Sequence, residues 1–288
     1  MGNIEPQKNE VPQRERKLWM YAWIQYPLVW MVVGALILIL ADGLLSRFIQ
    51  NATGFESIML AITKSIAAIA LYVLTMKWLA HRRVPELSIK NAVNRVSLGA
   101  LIGFIFIVIS TLLIVILGGY SFKWLPGSAG DVIWPTISTA LGAAVVEELI
   151  FRGIAFQAIE KMIGSRFALM ITSLFFGIAH LGNPGATIWS AAAIAIEAGV
   201  LLGAAFLWRR SLWLVIGIHF VWNAVVGLLG IPVSGHPSSG LFSVQVTGSS
   251  LLTGGSFGIE ASVVTVIISL LLSVPMLMLA KKGERSTK

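Results

Sequence analysis

The chain has 288 residues, of which 57% are hydrophobic and only 12% charged. A soluble protein carries about 25% charged residues, and the apolar runs here reach about 20 residues, enough to cross a bilayer as helices, so a soluble globular domain is excluded. The net charge is +8 and cysteine is absent; disulfide and thiolate chemistry are excluded, and the basic residues form no contiguous arm, so no nucleic-acid partner is expected.

The first 18 residues are polar and mixed in charge. The apolar run after them is too long for a cleaved signal peptide and lacks a small-residue cleavage site. The expected organisation is a cytoplasmic tail at 1–22, one transmembrane helical domain at 23–280 and a second cytoplasmic tail at 281–288. The expected fold is all-α, a polytopic bundle of eight spans at 24–41, 57–77, 97–118, 132–152, 165–181, 186–208, 211–230 and 259–280. The joints between spans are polar or carry Gly and Pro, and the last is a long Gly/Ser-rich loop at 231–258.

Lys and Arg gather on alternate joints. One set holds Lys8, Arg14, Arg16 and Lys17 at the N-terminus, then Lys77, Arg82, Arg83, Lys90 and Arg95. It continues with Lys161, Arg166, Arg209 and Arg210 and ends with Lys281, Lys282, Arg285 and Lys288. The opposite joints hold only Arg47 and Lys123. The positive-inside rule therefore predicts both termini in the cytoplasm and an even number of spans, in what is expected to be the cell membrane. Trp78, Trp208 and Trp213 near proposed inner edges, and Trp124 and Trp134 near outer ones, suit an aromatic belt.

The fourth span contains VVEELIFRGIAF, with Glu147, Glu148 and Arg152 in an apolar run. An ionisable residue at the bilayer centre costs about 2.5–3.5 kcal/mol on insertion scales, so these three must face protein or trapped water. Glu148 and Arg152 are four apart and share a helix face, where they can pair. Glu147 is rotated by about 100° from Glu148 and has no partner on its own helix. A carboxylate left so in a low-dielectric site suits general-base work. The fifth span ends in FFGIAH, with Phe176 and His180, and the seventh contains HFVWN, with His219 and Asn223 on one face. His81 and His236 fall in loops.

No serine stands beside these histidines, and no H-E-x-x-H zinc helix is present. A carboxylate and a histidine can instead hold and deprotonate a water. A second histidine and an amide can donate to the oxyanion formed on attack, each such donor being worth about 3–4 kcal/mol. The chemistry indicated is amide hydrolysis without a covalent intermediate. A metal version also satisfies the residues: Glu147, His180 and His219 could bind zinc with one position open.

The ordered set Glu147-Glu148-x-x-x-Arg152, Phe176-x-x-x-His180 and His219-x-x-x-Asn223 resembles the CAAX prenyl protease and bacteriocin-processing family of intramembrane endopeptidases. The resemblance spans 147–223 and implies an eight-helix glutamate peptidase acting on a membrane-associated or prenylated peptide in the lipid bilayer. It implies Glu147 and His180 as water activators and His219 and Asn223 as oxyanion donors. Glu148, Arg152 and Phe176 would support them. The family has also been labelled a metalloprotease group, so zinc stays open as a cofactor. Two other readings stay open as well: a non-catalytic membrane scaffold or bacteriocin-immunity protein, and a proton-coupled transporter, since intramembrane Glu and His can relay protons.

Depth sets a further expectation. At 1.5 Å per residue, Glu147 and His219 lie roughly 8–12 Å from the inner edge, and His180 roughly 21 Å from it. They meet only if spans five and six sit low, which puts the LGNPG turn, Leu181 to Gly185, inside the membrane thickness beside a watery cavity. The site is then expected to open toward the cytoplasmic half of the bilayer. Glu197, in the sixth span, either joins the cavity or pairs with Lys64 in the second.

Overall fold

The computed structural model describes residues 25–49, 52–127 and 129–286. The N-terminal tail 1–22, with Lys8, Arg14, Arg16 and Lys17, lies outside the described residues. The long helices are α1 (Pro27–Ile49), α2 (Gly54–Trp78) and α3 (Ala92–Ile116). A rod follows, built of α4 (Ala129–Glu148), a π-helical stretch Leu149–Ala155 and α5 (Phe156–Ile163). Next come α6 (Ser165–Ala179) and a second interrupted rod of α7 (Ile188–Ile194), a π stretch Ala195–Val200 and α8 (Leu201–Arg209). Then α9 (Leu212–Leu228), a short α10 (Ser250–Thr253) and α11 (Val263–Ser286) complete the chain. Among the described residues, six segments are long and apolar enough to cross a membrane: Pro27–Arg47, Gly54–Trp78, Pro85–Ile116, Ser165–Gly182, Ile188–Arg209 and Val263–Gly283. The α4–α5 rod carries Glu147, Glu148 and Arg152 at its middle, and α9 is apolar but short.

Three features depart from the sequence expectation. The Gly/Ser-rich loop is not structureless: β2 (Phe242–Val246) pairs antiparallel with β1 (Tyr120–Trp124), with Tyr120 opposite Val246 and Trp124 opposite Phe242. The bundle is thus mostly, not wholly, helical. The last helix runs on to Ser286, past the expected start of a tail at 281. The fourth span does not end at 152 but continues through the π stretch to Ile163.

Glycine sets the position of the helix that carries His219 and Asn223. A Cβ on Gly99 or Gly103 of α3 would lie 2.2 Å from the Leu214 carbonyl oxygen or 2.4 Å from that of Ile218. A Cβ on Gly217 of α9 would lie 2.5 Å from the Val96 oxygen. The two backbones therefore touch directly, the close approach that small residues permit between membrane helices. Trp222 of α9 then packs edge-on against Phe106 of α3, ring centroids 5.0 Å apart, a pair worth about 0.5–1.5 kcal/mol beyond its burial.

The π stretches shift the hydrogen-bond ladder and leave carbonyls that need other donors. The Gly153 oxygen accepts from the Tyr72 hydroxyl at 3.1 Å and from Gln157 Nε2 at 3.0 Å. The Ala198 and Gly199 oxygens accept from Arg152 Nη2 at 2.8 and 3.2 Å. Each π stretch is thus held by side chains from elsewhere, and one of those is Arg152 itself.

The basic joints gather at one end of the bundle. Arg210 grips Glu160 with both terminal nitrogens at 2.6 Å. Glu86 receives Arg82 at 2.8 Å and Gln157 at 3.1 Å, together with a short hydrogen bond from Tyr72. The β-ladder, the LGNPG turn and the 231–262 segment make up the other end. There Asn183 Nδ2 donates to the Ser234 oxygen at 2.8 Å and the Gly235 N–H to the Phe257 oxygen at 2.7 Å.

Candidate active site

The three sequence motifs meet inside the bundle. Glu148 is fully buried and its Oε1 accepts from Arg152 Nη1 at 2.9 Å, the pairing that the four-residue spacing predicts. The same oxygen also lies 2.9 Å from His219 Nδ1, a contact from another helix that spacing could not reveal. A carboxylate only accepts, so Nδ1 carries the proton and His219 turns Nε2 the other way. That nitrogen faces Glu147 Oε2 at 4.0 Å. The distance is too long for a direct hydrogen bond, and one oxygen hydrogen-bonded to both atoms would span it. Glu147 Oε2 is buried without a hydrogen-bond partner among the described residues.

Phe176 organises the rest. The Arg152 guanidinium stands 4.9 Å from the centre of its ring. His180 stacks on it with centroids 4.7 Å apart, and Phe151 meets it at 4.8 Å. His180 Nδ1 lies 2.7 Å from the Phe176 carbonyl oxygen. A carbonyl accepts, so Nδ1 is the protonated nitrogen and Nε2 is left as an acceptor. Asn223 is buried beside His219, one helical turn on.

These groups line one cavity of about 820 Å³. Glu147, His180, His219 and Asn223 share its inner wall with Phe151, Phe176 and Trp222. It continues past Thr139 and Thr136 to Asp131 on one side, and past Asn183, Ser234 and His236 on the other. A second cavity of about 500 Å³, lined by Asp42, Ser46, Ser57, Lys64 and Ser138, also reaches Glu147. The cavity expected beside the LGNPG turn is present, and Asn183 of that turn lines it.

The expectation that the site opens toward the basic end is overturned. The cavity runs from Glu147 to Asp131 and the 233–239 loop, the end away from the basic joints. The fourth span, expected to end at 152, runs on toward the basic joints. With the rod continued to Ile163, Glu147 lies 16 residues, about 24 Å along the helix, from that basic end, and the expected 8–12 Å does not hold. The Lys64–Glu197 pairing is also absent. Lys64 Nζ binds Asp42 at 2.6 Å and Ser46 at 2.8 Å. Glu197 sits in the second π stretch outside the cavity lining, fully buried, with both oxygens unpartnered among the described residues.

Glu260 is a site residue that the sequence did not reveal. It lines the cavity, is 2% exposed, and takes a short hydrogen bond from the Ser234 N–H and one from its hydroxyl at 3.2 Å. It lies in the 3₁₀ turn ahead of the last membrane helix. Burial pushes its carboxyl up to about 7, and the two Ser234 donors hold it back only in part. Trp222, whose Nε1 is buried without a partner among the described residues, and His236 are further lining residues. No group of three or more His, Asp or Glu among the described residues is spaced to hold a metal ion.

The family model described as Type II CAAX prenyl endopeptidase Rce1-like matches residues 129–225. The matched segment runs from the start of α4 into α9 and contains all three motifs, and the resemblance drawn from them is borne out. No curated protein and no solved structure matches the chain. The match, with six membrane-length apolar helices, supports an integral membrane protein and a CAAX-type membrane endopeptidase.

Proposed function

We propose that the protein is an intramembrane peptidase of eight helices that hydrolyses a membrane-associated peptide with water activated by Glu147 and His180. The observation that carries this reading is the fixed orientation of His219: Nδ1 on Glu148 at 2.9 Å and Nε2 facing Glu147 across 4.0 Å. For Nε2 to donate as well, the ring must be an imidazolium. Its charge with that of Arg152 then balances Glu147 and Glu148, so the buried Glu148, Arg152 and His219 and the half-buried Glu147 form a cluster of net zero charge. Buried charges persist only when compensated in this way.

The steps follow from these protonation states. A water between Glu147 and His180 attacks the scissile carbonyl carbon and gives its proton to the Glu147 carboxylate. The carbonyl oxygen becomes an oxyanion, accepting from His219 Nε2–H and from the Asn223 amide. The tetrahedral species collapses, the C–N bond breaks, and the leaving amine takes the proton back from Glu147. Glu148 and Arg152 hold His219 in place, and Phe176 holds His180.

Cleavage of membrane-anchored peptides in the presence of hydroxylamine tests the direct attack of water. The products should be free acids only. A hydroxamate would reveal an acyl-enzyme and overturn the mechanism. The pH profile should be bell-shaped, and a rate flat from about pH 5 to 9 would contradict an essential carboxylate–histidine base.

A further inference from the structure

Two cavities reach Glu147, and both come from the same end of the bundle. The larger has Asp131, His236, Pro237 and Ser239 at its mouth, and the smaller has Ala52 and Ser57 at the start of α2. The opposite approach is filled. Behind Glu147 the π stretch is sealed by Arg152, 1% exposed, and by the Tyr72–Glu86–Arg82–Gln157 cluster on Gly153. The cavity at that end, about 180 Å³ beside Arg82 and Lys161, is not lined by any of the three motifs.

Charge says which end is which. The sealed end carries Lys77, Arg82, Arg83, Lys90, Arg95, Lys161, Arg166, Arg209, Arg210, Lys281 and Lys282, while the joints at the open end carry Arg47 and Lys123, and Lys64 in the smaller cavity is paired with Asp42. Lys and Arg flanking short loops mark the cytoplasmic side. Around the open end Trp124, Leu125, Ile188, Trp189 and Leu251 are exposed, the kind of ring that sits at a membrane interface. The mouth itself is polar.

We infer that the cavity opens on the extracytoplasmic face and that its substrate is a peptide segment displayed there, at the membrane surface, by an exported or membrane-anchored protein. A lipidated C-terminus held in the cytoplasmic leaflet meets the sealed end instead. The inference rests on the peptidase reading for what happens to the peptide, and on charge and cavity shape for where it enters.

The chain has no cysteine, so single-cysteine variants report accessibility without background. Ser239→Cys marks the mouth and Asn91→Cys the sealed end, both exposed and both neutral. With a membrane-impermeant maleimide on spheroplasts of a bacterial host, Ser239→Cys should label in intact spheroplasts and Asn91→Cys only after permeabilisation. The reverse pattern, or equal labelling, overturns the inference. A second arm uses sealed vesicles holding the protein and a library of membrane-anchored peptides added from outside. Cleavage should scale with the fraction of protein whose Ser239→Cys site is accessible. Scaling with the Asn91→Cys fraction would overturn the inference and leave the peptidase standing. Loss of Glu147-dependent cleavage even in detergent would overturn the peptidase reading, and the labelling would still decide the orientation.

Discussion

Removing Arg152 should separate the stability of the site from its chemistry. Its guanidinium is 1% exposed and makes three kinds of contact: an ion pair with Glu148 at 2.9 Å, hydrogen bonds to the Ala198 and Gly199 oxygens, and a face contact with Phe176 at 4.9 Å. Arg152→Met leaves Glu148 as a buried charge with a single partner and strips the π carbonyls of their donor. Breaking a buried pair on one side costs about 3–5 kcal/mol. At about 2–4 °C per kcal/mol, thermal unfolding in detergent should fall by roughly 6–20 °C. The double variant Glu148→Gln/Arg152→Met removes both charges, and replacing a whole buried pair is often close to neutral. It should recover most of the lost melting temperature and yet stay inactive, because His219 has lost the carboxylate that fixes Nδ1. A single variant as stable as the wild type, or a double variant with additive losses, would refute the reasoning. A double variant with wild-type cleavage would refute the role given to Glu148.

Gly103→Leu forces a side chain into the Ile218 carbonyl, which a Cβ already approaches to 2.4 Å; cleavage should be lost with α9 displaced, while Gly43→Leu, where nothing lies within 4 Å, should leave activity unchanged. Asn223→Ala should lower kcat about 10²–10³-fold with little change in KM, as loss of one oxyanion donor does; a change in KM alone would move Asn223 to substrate binding. Glu260→Gln should change the pH dependence of stability. A carboxyl raised from 4.5 to about 7 in the folded protein costs nothing below the lower value and about 3 kcal/mol once pH has risen past the upper one. The glutamine variant should therefore gain on the wild type in thermal unfolding between pH 5 and 8, and parallel curves would contradict the raised carboxyl.

The order of the long helices and the convergence of three motifs could be read from the sequence, because both follow from period and hydropathy. Four-residue spacing placed Glu148 with Arg152, and rotation set Glu147 apart. What escaped has physical reasons. The π stretches at 149–155 and 195–200 carry no local signature, since their freed carbonyls are satisfied by Arg152, Tyr72 and Gln157 from distant or neighbouring turns. The first of them carries the fourth span past 152 to Ile163 and moves Glu147 away from the basic end. The alternation in YSFKW and FSVQV is strand-like, but each stretch is only five residues long and lies in a joint. Glu260 stands just ahead of an apolar run and reads as an ordinary helix start; its role at the cavity wall depends on Ser234, 26 residues earlier.

Glu147 is proposed to activate water without a metal. The most direct measurement compares peptide cleavage by purified wild type and Glu147→Gln, each with and without a strong zinc chelator, on farnesylated and unmodified membrane peptides. Wild-type cleavage should survive the chelator and fall about 10²–10⁴-fold in the variant, with both proteins folded. Cleavage abolished by the chelator and restored by zinc, or equal cleavage by the two proteins, would contradict it.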